Sequence, residues 1–258
     1  MLLTIDIGNT NITLGLYQGE KLSSAWRLAT VHDRMPDEYG LQLLGLMQQA
    51  GCAIEQIEAS ALASVVPPLT GTFLQACDKY LHQKPLVVDA GVRTGLRIRY
   101  EDPKNALGAD RVVDAVAVQH HYGVPACVVD FGTATTFDAI SADGEYLGGA
   151  IAPGIIIAAD ALFQRTAKLP RVELQRPPSV IGSNTVRAIQ SGLIFGYVGL
   201  VEGMVARFRQ ELGEDMKVIG TGGLAELIAS ETDVIQYLAP WLTLEGLRLV
   251  WEMNRVVN

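Results

Sequence analysis

Cysteine is scarce in this chain, and its spacing argues against two classes of protein. The 258 residues include three cysteines, Cys52, Cys77 and Cys127. Their number is odd and their spacing matches no metal-ligand motif, which argues against both a disulfide-rich secreted domain and a cysteine-based metal site. We therefore expect reduced, mostly buried thiols, as in a cytoplasmic protein.

Targeting signals, long apolar runs and blocks of like charge are also missing. A strand pattern begins at Leu2 without a basic segment before it, which argues against a signal peptide. The apolar stretch 192–205 is interrupted by glycines and Glu202, so no membrane span is expected there. With a net charge of −8 and a pI near 5.0, neither nucleic acid nor an anionic membrane is expected as the main partner. These features predict a cytoplasmic location.

The composition that remains is that of a folded globular protein. Apolar residues make up 49% of the chain and charged residues 19%, and the length allows one large domain or two ordinary ones. The first half has the pattern β-β-β-α-β-α-β, and the second half again opens with three strands, near residue 126. We predict an α/β protein of two domains, 1–115 and 116–258, each a mixed β-sheet flanked by helices.

Two segments look like copies of one turn. The first contains Asp6-Ile7-Gly8-Asn9-Thr10-Asn11 and the second contains Asp130-Phe131-Gly132-Thr133. Each follows an apolar strand, turns at Asp-x-Gly and enters another strand. Backbone N–H groups and short polar side chains at such turns suit a polyphosphate, and each aspartate could orient a metal or a nucleophile. The common alternative is an aspartate that bonds only its own turn, but the repetition favours a duplicated fold that binds a nucleotide.

The two copies differ in their polar side chains. Asn9, Thr10 and Asn11 crowd the first turn, which makes Asp6 the better candidate to face a metal. In the second copy, Thr133 directly follows Gly132 and is the threonine most suited to contact phosphate. The segment Thr221-Gly222-Gly223 is a weaker signal, a flat backbone surface that could lie against a purine and its ribose.

The segment Gly108-Ala109-Asp110-Arg111 lies before a helical pattern. An aspartate in a first helical turn is favoured by the helix dipole alone, which is a sufficient structural reason. It could instead accept a proton from a substrate hydroxyl while the neighbouring arginine binds an anion. Spacing alone does not choose between these two interpretations.

A long helix is predicted from about Asn184 to Leu212, with glycines at 192, 196, 199 and 203. Each glycine costs about 1 kcal/mol in a helix interior relative to alanine. Such spacing usually reflects close packing of the backbone against another element or another subunit.

Taken together, these motifs resemble those of the actin-like ATPase superfamily, and within it they are most similar to type III pantothenate kinases. The similarity rests on the two Asp-x-Gly turns, on Gly222-Gly223 and on Gly108-Ala109-Asp110-Arg111. It also includes Gly148-Gly149-Ala150-Ile151-Ala152-Pro153-Gly154 and Asn184-Thr185. The resemblance implies two ribonuclease H-like domains with ATP in the cleft between them, and a cytoplasmic homodimer.

It also implies an activity, which is the ATP-dependent phosphorylation of the primary hydroxyl of pantothenate, the opening step of coenzyme A synthesis. Asp110 would be the general base, and Asp130 would hold a monovalent cation, K⁺ or NH₄⁺. Mg²⁺ would accompany ATP, with Asp6 facing it through the phosphates. The residues implied to contact ATP are Asp6, Ile7, Gly8, Asn9, Thr10, Asn11, Ile12, Thr13 and Thr133. The residues implied to contact pantothenate are Tyr100, Gly108, Ala109, Asp110, Arg111 and Thr185.

Two other functions fit the same turns. A nucleotide-switched binding protein would use the same ATP site to change conformation, although relatives of that kind usually run longer. A kinase for another small hydroxylated substrate, such as a sugar, is compatible with composition and periodicity. The Gly-Ala-Asp-Arg segment favours pantothenate over that alternative.

Overall fold

Two sheets organise the chain in the structure, a computed structural model that describes residues 1–89, 91–101 and 107–255. The chain divides into two compact units. The first takes in Met1–Leu96, Tyr100–Ala117 and the chain from Leu242 onward, and the second takes in Arg97–Arg99 and Val118–Trp241.

The first unit is built on a five-stranded sheet of order β3-β2-β1-β4-β5. Strand β1 pairs antiparallel with β2 and parallel with β4. Alternating side chains of β1, Leu3, Ile5 and Ile7, are fully buried against Tyr39 and Phe73 of the helices α1 and α2. The elements of this unit are β1 (Leu2–Ile7), β2 (Asn11–Gln18), β3 (Lys21–Ala29), α1 (Pro36–Gln49), β4 (Ala59–Ser64), α2 (Pro67–Ala76) and β5 (Leu86–Val87).

The second unit is built on a six-stranded sheet of order β11-β10-β7-β8-β9-β6. Val129, Phe131 and Phe137 on one face pack against the long helix α5, where Ile194 and Val201 are fully buried. The elements are β6 (Arg97–Ile98), α3 (Ala109–His121, which begins in the first unit), β7 (Ala126–Phe131), β8 (Ala134–Ile140), β9 (Glu145–Pro153), α4 (Ile155–Arg165), α5 (Thr185–Leu212), β10 (Lys217–Thr221), α6 (Ala225–Ala229) and β11 (Tyr237–Leu238).

The two sheets repeat one pattern, as the paired turns predicted. Strands β7, β8 and β10 are related as β1, β2 and β4 are, with one antiparallel and one parallel partner for the central strand. Asp6 lies opposite Thr13 in the first hairpin, and Asp130 lies opposite Thr136 in the second. The duplication inferred from sequence is therefore present in the strand register.

The final helix, α7 (Leu242–Asn254), belongs to the first unit. It packs against β1, β2 and β4, and a side chain at Gly246 would collide with the Val113 carbonyl of α3. The predicted boundary at 115 lies close to the observed division after Ala117. The prediction, however, assigned α7 to the second domain. The return of a chain end to the first sheet leaves no local sequence signal, which explains the difference.

Most predicted strands and helices agree with the structure to within a few residues, and the exceptions are short. Strands β6 and β11 have two residues each, too few for a periodic pattern. All three cysteines are free and buried, as predicted.

Helix α5 differs in one respect from its expected character. Among the described residues it is the one helix whose length and apolar composition would let it cross a membrane. This is weak support for a span, because core helices of water-soluble proteins meet the same criterion.

Candidate active site

The first turn follows β1 directly and is held by backbone bonds. The Gly8 N–H donates to the Asn11 carbonyl at 3.0 Å, and the Thr30 hydroxyl donates to the Gly8 carbonyl at 2.7 Å. Within this turn Asn9, Thr10 and Asn11 are exposed, whereas Ile7 and Ile12 are buried and anchor it. The arrangement leaves short polar side chains at the end of β1, where a phosphate could accept their hydrogen bonds.

The candidate base lies at the same end of the first sheet. Val65 connects the first turn with the segment that holds Asp110. Its N–H donates to the Ile7 carbonyl at 3.0 Å, and its side chain lies against Gly108. The Asp110 carboxylate accepts the Arg111 N–H at 2.8 Å and lies so close to Gly108 that a Cβ there would collide with it. A glycine at 108 is therefore a steric requirement for this placement of Asp110.

Arg111 and Asp114 extend this group into the helix interior. Arg111 directly follows Asp110 and is 8% exposed. Asp114 lies one helical turn beyond Asp110 and is 4% exposed. Two buried charged residues in α3 are unusual for an ordinary amphipathic helix. Asp114 was not among the residues predicted for the site, since an isolated carboxylate within a helical pattern carries no distinguishing signal.

In the second unit, the backbone at Gly154 and at Gly222 packs closely against the turn that follows β7. Gly132 donates its N–H to the Ala134 carbonyl at 3.1 Å, which closes the turn after β7. A side chain at Gly222 would meet the Asp130 carboxylate and the Phe131 backbone, and one at Gly154 would meet the carbonyls of Gly132 and Thr133. Gly222, part of the Thr221-Gly222-Gly223 segment that was a weak signal in the sequence, thus lies beside the second Asp-x-Gly turn.

Two glycines lie so close to the Asp130 carboxylate that a side chain at either would contact it. A Cβ at Gly132 would lie 3.4 Å from its Oδ2, and Gly222 faces its Oδ1. A half-buried carboxylate supplies the kind of oxygen donor that K⁺ or another hard cation accepts. Within the part of the chain that the structure describes, no three His, Cys, Asp or Glu side chains cluster as metal ligands. A cation here would therefore rely on one carboxylate together with hydroxyl, backbone or phosphate oxygens.

The remaining predicted residues lie in different units. Tyr100 is half-buried and belongs to the first unit, whereas Thr185 is exposed at the first position of α5 in the second. Thr185 follows Asn184, whose side chain caps the helix by accepting the Arg187 N–H at 2.9 Å. Thr133 is exposed after Gly132.

Sequence comparisons find relatives that match nearly the whole of this chain. The model of the type III pantothenate kinase family matches residues 2–207. A type III pantothenate kinase of Roseiflexus sp. (strain RS-1) is 56% identical over 255 residues, which cover 99% of this chain and 100% of the relative.

Among solved structures, a conserved Baf family protein of Campylobacter jejuni is similar with a TM-score of 0.60 at 20% identity, covering 98% of both chains. Component A of (R)-2-hydroxyglutaryl-CoA dehydratase from Acidaminococcus fermentans is similar with a TM-score of 0.51 at 13% identity, covering 96% of this chain and 95% of that one. At such identities the likeness concerns the fold, and the two-domain ribonuclease H-like prediction is confirmed.

Proposed function

Because the chain belongs to the type III pantothenate kinase family, we propose that it transfers the γ-phosphoryl group of ATP to the primary hydroxyl of pantothenate, the opening step of coenzyme A synthesis. The observation that carries this function is the full-length similarity to such kinases, 56% identity over 99% of the chain. The products are 4'-phosphopantothenate and ADP.

The first turn is assigned to ATP. Its residues Asp6 to Thr13 offer backbone N–H groups and the side chains of Asn9, Thr10, Asn11 and Thr13, and Thr133 adds a donor from the second copy. Phosphoryl transfer depends mainly on positioning and charge neutralisation, so a donor-rich turn can do much of the work. When bound, Mg²⁺ would supply charge neutralisation at the phosphates, with Asp6 as the carboxylate facing it.

Asp110 is assigned as the general base. The pantothenate hydroxyl oxygen forms a bond to the γ-phosphorus, the bond from phosphorus to the β-bridging oxygen breaks, and the hydroxyl proton passes to Asp110. An ordinary aspartate, with a reference pKa of about 3.9, is ionised at neutral pH and able to accept it. The support is geometric, because the close contact with Gly108 and the bond from Arg111 hold this carboxylate at the end of the first sheet.

Tyr100, Gly108 to Arg111 and Thr185 are assigned to pantothenate. The Arg111 guanidinium would pair with the pantothenate carboxylate, the kind of anion that a planar guanidinium binds in two-point contact. Asp130 is assigned to a monovalent cation, K⁺ or NH₄⁺, supported by its half-buried carboxylate at the second Asp-x-Gly turn, where the backbone at Gly132 and Gly222 comes close to it.

A homodimer is the assembly we propose. Gly192, Gly196 and Gly199 lie on one exposed side of α5, and a Cβ at any of them would contact nothing within 4 Å. Close packing inside the chain therefore does not explain these glycines, and a second subunit is the alternative that remains. Gly196→Leu should weaken dimerisation, as measured by light scattering, whereas an unchanged mass would contradict the assignment. We also propose a cytoplasmic location, consistent with three free cysteines.

The decisive assay couples ADP release to acceptor identity. Purified protein is incubated with ATP and Mg²⁺ and with pantothenate, simple sugars or no acceptor. ADP release that requires pantothenate supports the proposal. Release that needs no acceptor would instead indicate a nucleotide switch, and release with sugars alone would indicate another kinase.

The base assignment has its own test. Asp110→Asn should keep the fold and ATP binding but lower kcat by at least about 10²-fold, the range that general bases contribute. Asp78→Asn, at an exposed position on the first unit, serves as the matched control and should leave kcat unchanged. Near-parental turnover in Asp110→Asn would exclude this residue as the base.

A further inference from the structure

The second copy of the repeat contains a buried carboxylate that the proposed mechanism does not use. Asp138 lies in β8 and is 2% exposed. A buried carboxylate is costly unless hydrogen bonds satisfy it. Its hydrogen-bond partners therefore indicate why the fold keeps a charge at this position.

Two hydroxyl groups donate to the two oxygens of Asp138. The Tyr146 hydroxyl donates to Oδ1 at 2.6 Å, and the Thr136 hydroxyl donates to Oδ2 at 3.1 Å. Tyr146 is fully buried. Asp138 accepts both bonds, so both hydroxyl protons are directed at it. The Thr136 oxygen then presents its lone pairs away from Asp138.

The first copy of the repeat has no such group. Thr13 corresponds to Thr136, since each lies opposite the turn aspartate, and two residues further along the strand Gly15 corresponds to Asp138. A Cβ at Gly15 would meet the side chains of Thr4, Leu22 and Leu244. The buried carboxylate is therefore not a requirement of this strand arrangement but a feature of the second copy alone.

Strand geometry places the side chain of Thr136 next to that of Asp130. The two residues are direct partners across the antiparallel pair of β7 and β8, so their side chains leave the same face of the sheet with Cβ atoms about 4.5–5.5 Å apart. Asp138 follows two residues later and shares that face. Thr136 thus lies between a buried carboxylate that accepts its proton and the carboxylate assigned to the cation.

We propose that Tyr146 and Asp138 position the Thr136 hydroxyl so that its oxygen serves, with Asp130, as a ligand of the monovalent cation. This inference rests on the proposed cation role of Asp130. A hydroxyl that already donates to a carboxylate is a better oxygen donor, because the bond increases the negative charge on its oxygen. Asp138 and Tyr146 are positioning residues that act through Thr136.

The test measures cation binding without turnover. The melting temperature is followed by differential scanning fluorimetry during titration with K⁺, in the presence of Mg²⁺ and a non-hydrolysable ATP analogue, with Na⁺ as the reference salt. Thr136→Val, Asp138→Asn and Tyr146→Phe should each raise the half-saturating K⁺ concentration by about 10-fold or more, as loss of an outer-shell partner typically does. Thr136→Ser keeps the hydroxyl and should restore the parental response.

Thr135→Val is the matched control on the same strand. Thr135 is 1% exposed, points to the opposite face and has a hydroxyl without a hydrogen-bond partner. Its replacement should therefore leave the K⁺ response unchanged. Parental half-saturation in both Thr136→Val and Tyr146→Phe would overturn the inference.

The wild-type titration separates this inference from the assignment on which it rests. If the parental protein phosphorylates pantothenate but melts identically in K⁺ and Na⁺, the cation role of Asp130 is wrong, and the ligand role of Thr136 is overturned with it. If the parental protein responds to K⁺ and the variants respond equally, only the role of Thr136, Asp138 and Tyr146 is overturned.

Discussion

Gly222 is the position where a single added methyl group should disturb the second turn most. Its φ is +90°, a backbone conformation that residues with a side chain rarely adopt. A Cβ there would lie 2.7 Å from both the N and the C atom of Phe131, and it would also meet the Asp130 carboxylate. Backbone atoms of a central strand cannot move aside as the end of a flexible side chain can.

The cost of Gly222→Ala follows from these two effects. A side chain in a left-handed conformation costs about 1–2 kcal/mol, and overpacking of a rigid site costs about 1–3 kcal/mol. Their sum is about 2–5 kcal/mol, and about 2–4 °C of melting temperature per kcal/mol is typical of a chain this long. The melting temperature should therefore fall by about 4–20 °C.

Gly223→Ala provides the matched control for stability. A Cβ at Gly223 would contact nothing within 4 Å, and φ there lies outside the left-handed region. Its melting temperature should stay at or slightly above the parental value, because alanine restricts the unfolded chain by up to about 1 kcal/mol. The reasoning would be refuted if the two variants melted together, since both add the same methyl group and differ only in the space and the backbone conformation at the position.

Other parts of the fold lead to three further predictions. Arg248→Ala should lower the free energy of unfolding by about 3 kcal/mol, because the nearly buried guanidinium pairs with Glu245 and Glu252 of α7. Lys79→Ala, at an exposed ion pair with Asp37, should cost far less stability than Arg248→Ala, because water screens the pair; equal losses in urea unfolding would contradict the role of burial. Burial also raises the pKa of the Cys77 thiol to about 12, so iodoacetamide at pH 8 should leave it unlabelled in the folded protein but label it in urea. The pKa of the unfolded thiol is near 9. The contribution of Cys77 to stability should therefore decline as the pH rises above about 9 and be lost by about pH 12. A urea midpoint that stays constant over that pH range would contradict this prediction.

The elements nearest the site were predictable because their signals are local. Alternating apolar residues predict β1 and β7, and the Asp-x-Gly sequence predicts the turn that follows each. The repetition of that pattern also predicts the duplication, since matching sequences fold into matching strand pairs. These features need information from only a few neighbouring residues.

Asp138 shows why other features could not be predicted. In the sequence it is one aspartate in an apolar strand, and nothing near it distinguishes a buried carboxylate from an exposed one. Only the register of β8 against β7 and β9 brings it between the hydroxyls of Thr136 and Tyr146.

The amino-acid sequence by itself determined the two turns, the strands that lead into them and the resemblance to a kinase family, because each depends on residues close together in the chain. Only the tertiary structure decided that α7 completes the first unit. It also placed Gly222 against Asp130 and Gly154 against Thr133. It also decided that Asp138 supports the second copy but has no counterpart in the first. Those relations join residues far apart in sequence, and they arise only when packing and strand pairing bring distant segments into contact.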